Sequence, residues 1–400
     1  MSQNIVVVDT VIKGYNHVTI NKGLLEILCH AGNRLTLVSD EIHGQVICEN
    51  LPCTVQKRPI KIIGPRGGII NKANDWYLKL KEEFHFFQSL PYQQAIQDAD
   101  LVIFTTITPV NLFLHAGILN SLANSKKVVV GLHGEIEVLF KSRPTFREKL
   151  FRYFYKSALK KTPQVKFLLW SPFIEQNMLN AGYLKREQAF SAFHPLSEVR
   201  NEEVGLELPS HGKTFVFSHL GVASYRKNAD KLFELSTIID LKKSPDHHIS
   251  IRNIGKVEAK MQSKVNPLVN ILSMNNEVLT QKRYAHEIGQ THYVLSFISG
   301  EEYVNRISGS ILDAVQYYRP IIALRHSFIE DIFDKAGDIG FLCDSLESMS
   351  ELILRIVNYD EQLISRYTSQ VKNLKAYAAE HYYPNNSIKF IEGLKKAYNK

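Results

Sequence analysis

The sequence predicts two doubly wound α/β domains facing a central cleft, and three observations carry that prediction. At 400 residues the chain is longer than one hydrophobic core comfortably serves. Its first half alternates continuous apolar runs with helix-period segments, the pattern of a parallel sheet covered on both faces. Its second half restarts the same alternation after a polar, Pro- and Gly-bearing stretch without periodicity, 194–213, which is the linker candidate.

The first domain opens on NIVVVD (4–9), a buried strand. TINKGLLEILCHAGN (19–33) follows, with Leu24, Leu25, Ile27, Leu28 and Ala31 at helical spacing and a Gly–Asn stop. RLTLVS (34–39), DLVIFTT (100–106), KKVVVGLH (126–133) and VKFLLWS (165–171) are further strands of the same kind. In the second half KTFVFSHLG (213–221), HHISIRNIG (247–255), THYVLSFIS (291–299) and RPIIAL (319–324) read as strands. Helical segments near 228–240, 280–290, 308–317 and 345–357 separate them. The aromatic cluster EEFHFFQSLPY (82–92) fits either the core or a channel wall.

Composition narrows the class. A chain 44% hydrophobic and 22% charged is ordinary globular material. No run of eighteen apolar residues predicts a membrane span. The start, MSQNIVVVDTVIKG, lacks the basic lead and long apolar core of a secretory signal. Cys29, Cys48, Cys53 and Cys343 form no CxxC pair and no metal-type spacing with histidine, so neither a disulfide framework nor a zinc site is expected, and a reducing cytoplasm fits.

The net charge of +8 points to an anionic partner. Its source is local: 141–166 carries nine Lys/Arg against one acid, Glu148. Leu150, Phe151, Phe154, Tyr155 and Leu159 give an apolar side, while Lys149, Arg152, Lys156 and Lys160 recur at helical spacing. Such a helix suits an anionic membrane surface. It equally suits a helix docked on the sheet with a solvated cationic face. Nucleic acid is not expected, because no recognition fold accompanies the patch.

The stretch NRISGSILDAVQYYRPIIA (305–323) places Ser308, Gly309 and Ser310 at the mouth of an apolar helix, with Asp313 one turn inside. A helix start offers unpaired N–H groups and a positive dipole end, which favour an anion. Gly309 lets a phosphate approach, the hydroxyls add donors, and Asp313 can accept from ribose hydroxyls. The plain alternative is a Ser308 cap and a first-turn acid. After the strand at 213–221 come Gly221 and the pair Arg226–Lys227, cations suited to a diphosphate at a strand-to-helix loop.

Gly221 with Lys227, the strand YVLSFIS and the block SGSILDAVQYYRPIIA resemble the GT-B glycosyltransferases, especially the bacterial group using nucleotide-activated sugars. IEDIFDKAGDIGFLCDSLESMSELILRI (329–356) resembles that family's later helix, strand and helix. The likeness in motif spans about 213–357; the first half agrees in grammar. The family commonly has Arg where this chain has Val222, and often Glu where it has Asn305. Arg226 or Arg306 then stands in for the cation, and Glu301 or Glu302 for the carboxylate.

The resemblance implies a nucleotide-sugar-binding domain over 201–375 and an acceptor-binding domain over 1–200, with 376–400 crossing back to it. It implies a nucleotide-sugar donor and no metal, since this fold stabilises the leaving diphosphate with protein groups. The one literal DxD, Asp98-Ala99-Asp100, runs into a buried strand and reads as a helix end. His133 in GLHGEIE (131–137) resembles the family histidine near the donor sugar. Glu135 or Glu137 is a candidate proton acceptor, and His17, in the glycine loop after the first strand, is a second candidate base.

The expected activity is transfer of a sugar to a saccharide or lipid-linked saccharide in cell-surface polysaccharide synthesis. The expected setting is the cytoplasm, at the inner face of the membrane. A sugar-nucleotide 2-epimerase and a non-catalytic carbohydrate-binding protein remain alternatives.

Overall fold

The computed structural model describes every residue except 1–2, 15–16, 31, 61–80, 82, 199–206, 274–278, 299–302 and 399–400. The chain divides into two compact units, Met1–Ser197 with His381–Lys400 and Glu198–Glu380.

The first unit is built on a seven-stranded sheet: β1 (Asn4–Asp9), β2 (Arg34–Asp40), β3 (Val55–Ile60), β4 (Leu101–Thr106), β5 (Lys127–Leu132), β6 (Lys166–Leu169) and β7 (Ala189–Ser191). All pairs are parallel in the order β3-β2-β1-β4-β5-β6-β7. Val6 lies opposite Thr36 on one side and Val102 on the other. β4 is buried throughout, which is why its sequence is unbroken rather than alternating. Its helices are α1 (Val18–His30), α2 (Glu41–Ile47), α3 (Leu90–Gln97), α4 (Pro109–Leu114), α5 (Ala116–Ser125), α6 (Glu137–Phe140), α7 (Phe146–Lys161) and α8 (Pro172–Asn180). Starts are chemically marked: Thr108 caps α4 ahead of Pro109, Ser171 caps α8 ahead of Pro172, and Thr145 with Glu148 forms a capping box on α7.

The second unit has β8 (Phe215–Leu220), β9 (Ile249–Ile254), β10 (Val269–Ile271), β11 (Tyr293–Ser296), β12 (Ile321–Leu324) and β13 (Gly340–Cys343). They are all parallel in the order β10-β9-β8-β11-β12-β13. Helices α9 (Asp230–Lys242), α10 (Gln281–Gly289), α11 (Gly309–Gln316), α12 (Ser327–Ala336), α13 (Leu346–Val357), α14 (Glu361–Ile364) and α15 (Tyr367–His381) follow in chain order. Phe215, Phe217, Tyr293, Ile322 and Phe341 on the strands pack with Leu232, Leu235, Met349 and Ile353 on the helices as one core.

The last helix, α16 (Asn385–Tyr398), returns to the first unit and packs on β7 and α1. Its Phe390 is fully buried against Phe190, ring centroids 6.0 Å apart. Asn386 donates to the Phe193 carbonyl, and the Tyr398 hydroxyl to that of Val128 at 2.6 Å.

Three features depart from the sequence expectation or complete it. Cys29, at the end of α1, and Cys53, just ahead of β3, form a disulfide with Cα atoms 5.5 Å apart, where no disulfide was expected. The pairing depends on β3 lying beside β2, and β3 itself (VQKRPI) is a polar edge strand carrying Pro59 that hydrophobic periodicity does not flag. The aromatic cluster divides: Phe86, Phe87 and Tyr92 are core, with Phe87 stacked 5.7 Å from Phe104, while Phe84 is exposed.

The loop ends of β8 and β9 touch through their glycines. A Cβ on Gly255 would sit 2.3 Å from the Gly221 carbonyl oxygen, so this approach admits no side chain. Gly255→Ala is expected to cost about 2–4 kcal/mol of second-unit stability, read as a lowered thermal midpoint; an unchanged midpoint would contradict the close packing.

Candidate functional site

The chain enters the second sheet at β8, builds β9 and β10 to one side, then crosses to β11, β12 and β13 on the other. The boundary between β8 and β11 is therefore the point where connections diverge, and ligands of such sheets bind beyond the strand ends there. Gly221 leaves β8 with φ +81. A 3₁₀ turn, Tyr225–Lys227, ends at Asn228 in the left-handed region, φ 50. Asn228 reaches across and donates to the Phe297 carbonyl just after β11, at 3.2 Å, so the loop is tied over both strands.

Lys227 is folded back over this loop, its Nζ donating to the Leu220 carbonyl at 3.3 Å. Burial lowers its pKa, and the Asp313 charge opposes that shift. Asp313, one turn into α11, is pushed up to about 6 by burial, against a hydrogen bond from Tyr284 and the charge of Lys227. The Tyr284 hydroxyl, from α10, donates to Asp313 Oδ2 at 2.7 Å. Phenol and carboxylate are hydrogen-bonded at the carboxyl edge, and the lysine is near enough for its charge to act on Asp313.

The start of α11 is open. Among the described residues, chain neighbours and the helix's own backbone aside, nothing lies within 4 Å of where a Gly309 Cβ would stand. Ser308 does not cap the helix with its side chain; its Oγ lies 2.8 Å from that of Ser310, and both residues are buried. The first-turn amides of α11 therefore lack the usual side-chain acceptor. Arg226 is exposed on the turn beside Lys227. Arg306 sits with its guanidinium over the Tyr303 ring, 5.6 Å from the centroid. Glu301 and Glu302 lie outside the described residues. Behind Lys227, His219 is buried and hydrogen-bonded to Asn253 at 2.8 Å; burial, then the lysine charge, hold its pKa down to about 3. It is a neutral neighbour.

In the first unit the divergence point lies between β1 and β4. Asp9, at the end of β1, is fully buried. One carboxylate oxygen accepts from the Val11 and Ile12 amides, at 3.1 and 2.8 Å, and the other from Asn21 at 2.7 Å. Asn21 Nδ2 also meets His43 Nε2 at 2.9 Å, and His43 Nδ1 meets the Gly14 carbonyl at 2.7 Å. A carbonyl only accepts, so Nδ1 carries the His43 proton and Nε2 accepts from Asn21. Asp40 accepts from the Gly14 amide at 3.2 Å. The Gly14 peptide, φ +60, is held on both sides by buried groups.

Three residues beyond Gly14, His17 has φ 52. The His17 ring lies edge-on to His133, centroids 5.5 Å apart. Surrounding protein, then the neighbouring His133, lower the His17 pKa. His133 donates from Nε2 to the Thr105 carbonyl at 2.8 Å, which leaves Nδ1 as the acceptor in the neutral ring. Glu135 Oε1 accepts from the His133 amide at 3.1 Å and from the buried Tyr155 hydroxyl at 3.3 Å. Glu137 is buried at the start of α6. The Trp170 ring, 6.0 Å from His133, extends the aromatic wall toward His194, which burial holds down to about 3.

The structure therefore gathers Gly221, Lys227 and Asp313 with the 308–310 helix start in the second unit, and His17, His133 and Glu135 in the first. Asp98 ends α3, and Asp100 accepts from the Asn4 amide at 2.8 Å, so neither stands as a metal ligand pair. Among the described residues no group of three or more His, Cys, Asp or Glu is arranged to hold a metal ion. Sequence reasoning missed Tyr284, Asn228, His219, Asn21 and His43. Asp9 ends the first strand, and its side-chain partner, Asn21, comes from α1.

No protein-family model matches the chain, and no curated protein matches it by sequence. Solved structures match over nearly the full length. The lipopolysaccharide outer core galactosyltransferase WaaB superposes with TM-score 0.62 at 11% identity, over 98% of this chain and 99% of that one. WaaG, a glycosyltransferase involved in lipopolysaccharide biosynthesis, gives 0.60 at 11%, over 99% and 100%. The Anabaena protein HepE, solved with UDP-glucose, gives 0.62 at 12%, over 99% of each. The fold is GT-B, with two Rossmann-like doubly wound units.

Tyr284→Phe removes a hydrogen bond that favours ionised Asp313. The Asp313 titration, followed by carboxyl carbon NMR, is expected to move above its position near 6. Movement downward, or none, would show that the phenol does not support the charge.

Proposed function

We propose that the protein is a glycosyltransferase taking a sugar from a nucleotide-diphosphate donor to a saccharide or lipid-linked saccharide acceptor. The reading rests on the meeting of Lys227 and Asp313 at the open start of α11, beyond β8 and β11. A diphosphate has the charge that Lys227 and the helix start attract, and a ribose has the hydroxyls that Asp313 accepts. The full-length GT-B likeness supports the same reading.

In the reaction the acceptor hydroxyl oxygen bonds to the anomeric carbon as that carbon's bond to the diphosphate oxygen breaks. The leaving diphosphate keeps the bond's electron pair, and Lys227, Arg226 and the 308–310 amides stabilise it by preorganised charge. The hydroxyl proton leaves to a base. His17, with its lowered pKa, is unprotonated at neutral pH and fits that task. His133, its ring oriented by Thr105, orders the same surface. We assign donor contacts to the second unit, acceptor contacts to the first, and no catalytic metal. The hexosyl donor, the role in cell-surface polysaccharide synthesis and the setting at the cytoplasmic face of the membrane belong to this proposal.

A thermal-shift screen against nucleotide sugars, followed by slow donor hydrolysis, tests it. At least one donor is expected to stabilise the protein, with hydrolysis falling roughly 100-fold in Lys227→Ala. Asp313→Ala is expected to weaken free nucleoside diphosphate about tenfold by calorimetry. A protein that binds sugar but no nucleotide would replace the transferase with a carbohydrate-binding protein. His133→Ala is expected to lower turnover far more than nucleotide affinity; a fully active variant removes His133 from the chemistry.

A further inference from the structure

α7 carries two apolar faces. Tyr155, Ala158 and Leu159 are buried in the first unit, with Tyr155 bonded to Glu135. At about 100° per residue, Phe146, Leu150 and Tyr153 fall within an arc of about 60° on the opposite side. They are 86%, 44% and 61% exposed. The apolar side that the sequence suggested is therefore divided: Tyr155 and Leu159 serve the core, and Leu150 belongs to a separate outward stripe.

Neighbouring helices enlarge that stripe. α4 packs along α7, with the Phe113 ring 6.4 Å from Tyr153 and 5.3 Å from Phe154. Leu114, beside Phe113, is 54% exposed, and Ile118 on α5 is 46% exposed. Five large apolar side chains thus face water on one stretch of three helices. Single exposed apolar residues need no explanation, but the stripe of three along one face of α7 does.

The surrounding charge has one sign. Arg143, Arg147, Lys149, Lys156, Lys160 and Lys161 are all exposed. None of these six joins an ion pair among the described residues. Three lie over rings, Lys161 above Phe113 at 4.2 Å, Arg147 above Phe151 at 5.2 Å and Lys156 above Tyr183 at 5.1 Å. The local acid, Glu148, is taken by Lys141 at 2.9 Å and by the capping box. Its pKa is held down to about 2, chiefly by the hydrogen bond from Lys141. Within 141–166 the one acid is therefore paired, and the stretch carries a net positive charge.

We infer that α7, with the adjoining edges of α4 and α5, is a docking surface for an anionic lipid bilayer, into which Phe146, Leu150 and Tyr153 insert. A rigid helix pinned by its opposite face lies flat on such a surface, its aromatic side chains at headgroup depth and its lysines among the phosphates. A charged lipid interface offers an apolar phase to the whole stripe, Leu150 included, whereas a nucleic acid would engage only the aromatic rings, by stacking. This inference rests on the membrane setting proposed above and gives it a surface, but it needs no donor and no acceptor.

The test is co-sedimentation of the full chain with phosphatidylglycerol–phosphatidylcholine vesicles and with pure phosphatidylcholine vesicles, without any sugar nucleotide. The wild type is expected to pellet with the anionic vesicles and stay in solution with the neutral ones. A variant carrying Phe146→Ser, Leu150→Ser and Tyr153→Ser keeps every charge and touches only exposed positions, so its folding is preserved; it is expected to bind about tenfold more weakly or worse. Charge reversal at Lys149, Lys156 and Lys160 is expected to abolish binding. Phe146→Trp is expected to show blue-shifted emission that brominated lipid quenches. Failure of the wild type to pellet at low salt would overturn the inference. So would equal pelleting of wild type and serine variant, which would mean adsorption by charge alone. Loss of donor hydrolysis in Lys227→Ala with unchanged pelleting would separate this surface from the reaction.

Discussion

Burial acts on Lys227 and Asp313 in opposite senses, lowering the pKa of the lysine and raising that of the carboxyl group. Only their mutual attraction and the Tyr284 hydroxyl resist that drift. Such a pair is costly to build and is sensitive to any charge placed beside it. The close contact of Gly221 with Gly255, the left-handed Asn228 and its bond to the Phe297 carbonyl all hold the backbone from which Lys227 projects.

The first unit holds its own loop with a hydrogen-bonded network. Asp9, Asn21, His43 and Asp40 come from a strand, a helix, a second helix and the end of a second strand, and they converge on one peptide. A buried polar network of this kind fixes a loop more firmly than apolar packing, because each lost partner leaves an unsatisfied group.

Much of this was legible in the amino-acid order. The strands with unbroken apolar runs stood out because both faces of each sheet are covered. Ser308, Gly309, Ser310 and Asp313 were visible because turn chemistry is local, and Lys227 because it follows a strand and a glycine at short range. Tyr284 was not visible: an aromatic in an amphipathic helix reads as core until the helix is placed against α11. His43 and Asn21 failed for the same reason, since their meaning lies in partners that are distant or on other elements. β3 was hidden by its polarity and Pro59, and with it the reach from Cys29 to Cys53. In α7 periodicity located the helix but could not show that it has two separate apolar faces.

The return of α16 to the first unit has a consequence for synthesis on the ribosome. Domains emerging from the N-terminus ordinarily fold as they appear. Here the ledge formed by β7 and α1 stays uncovered while the whole of Glu198–Glu380 is translated, because the helix carrying Phe390 arrives afterwards. The earlier-made half of the molecule is thus the last to be completed. A nascent chain halted before residue 385 would carry a greasy shelf that invites chaperones or a neighbouring chain.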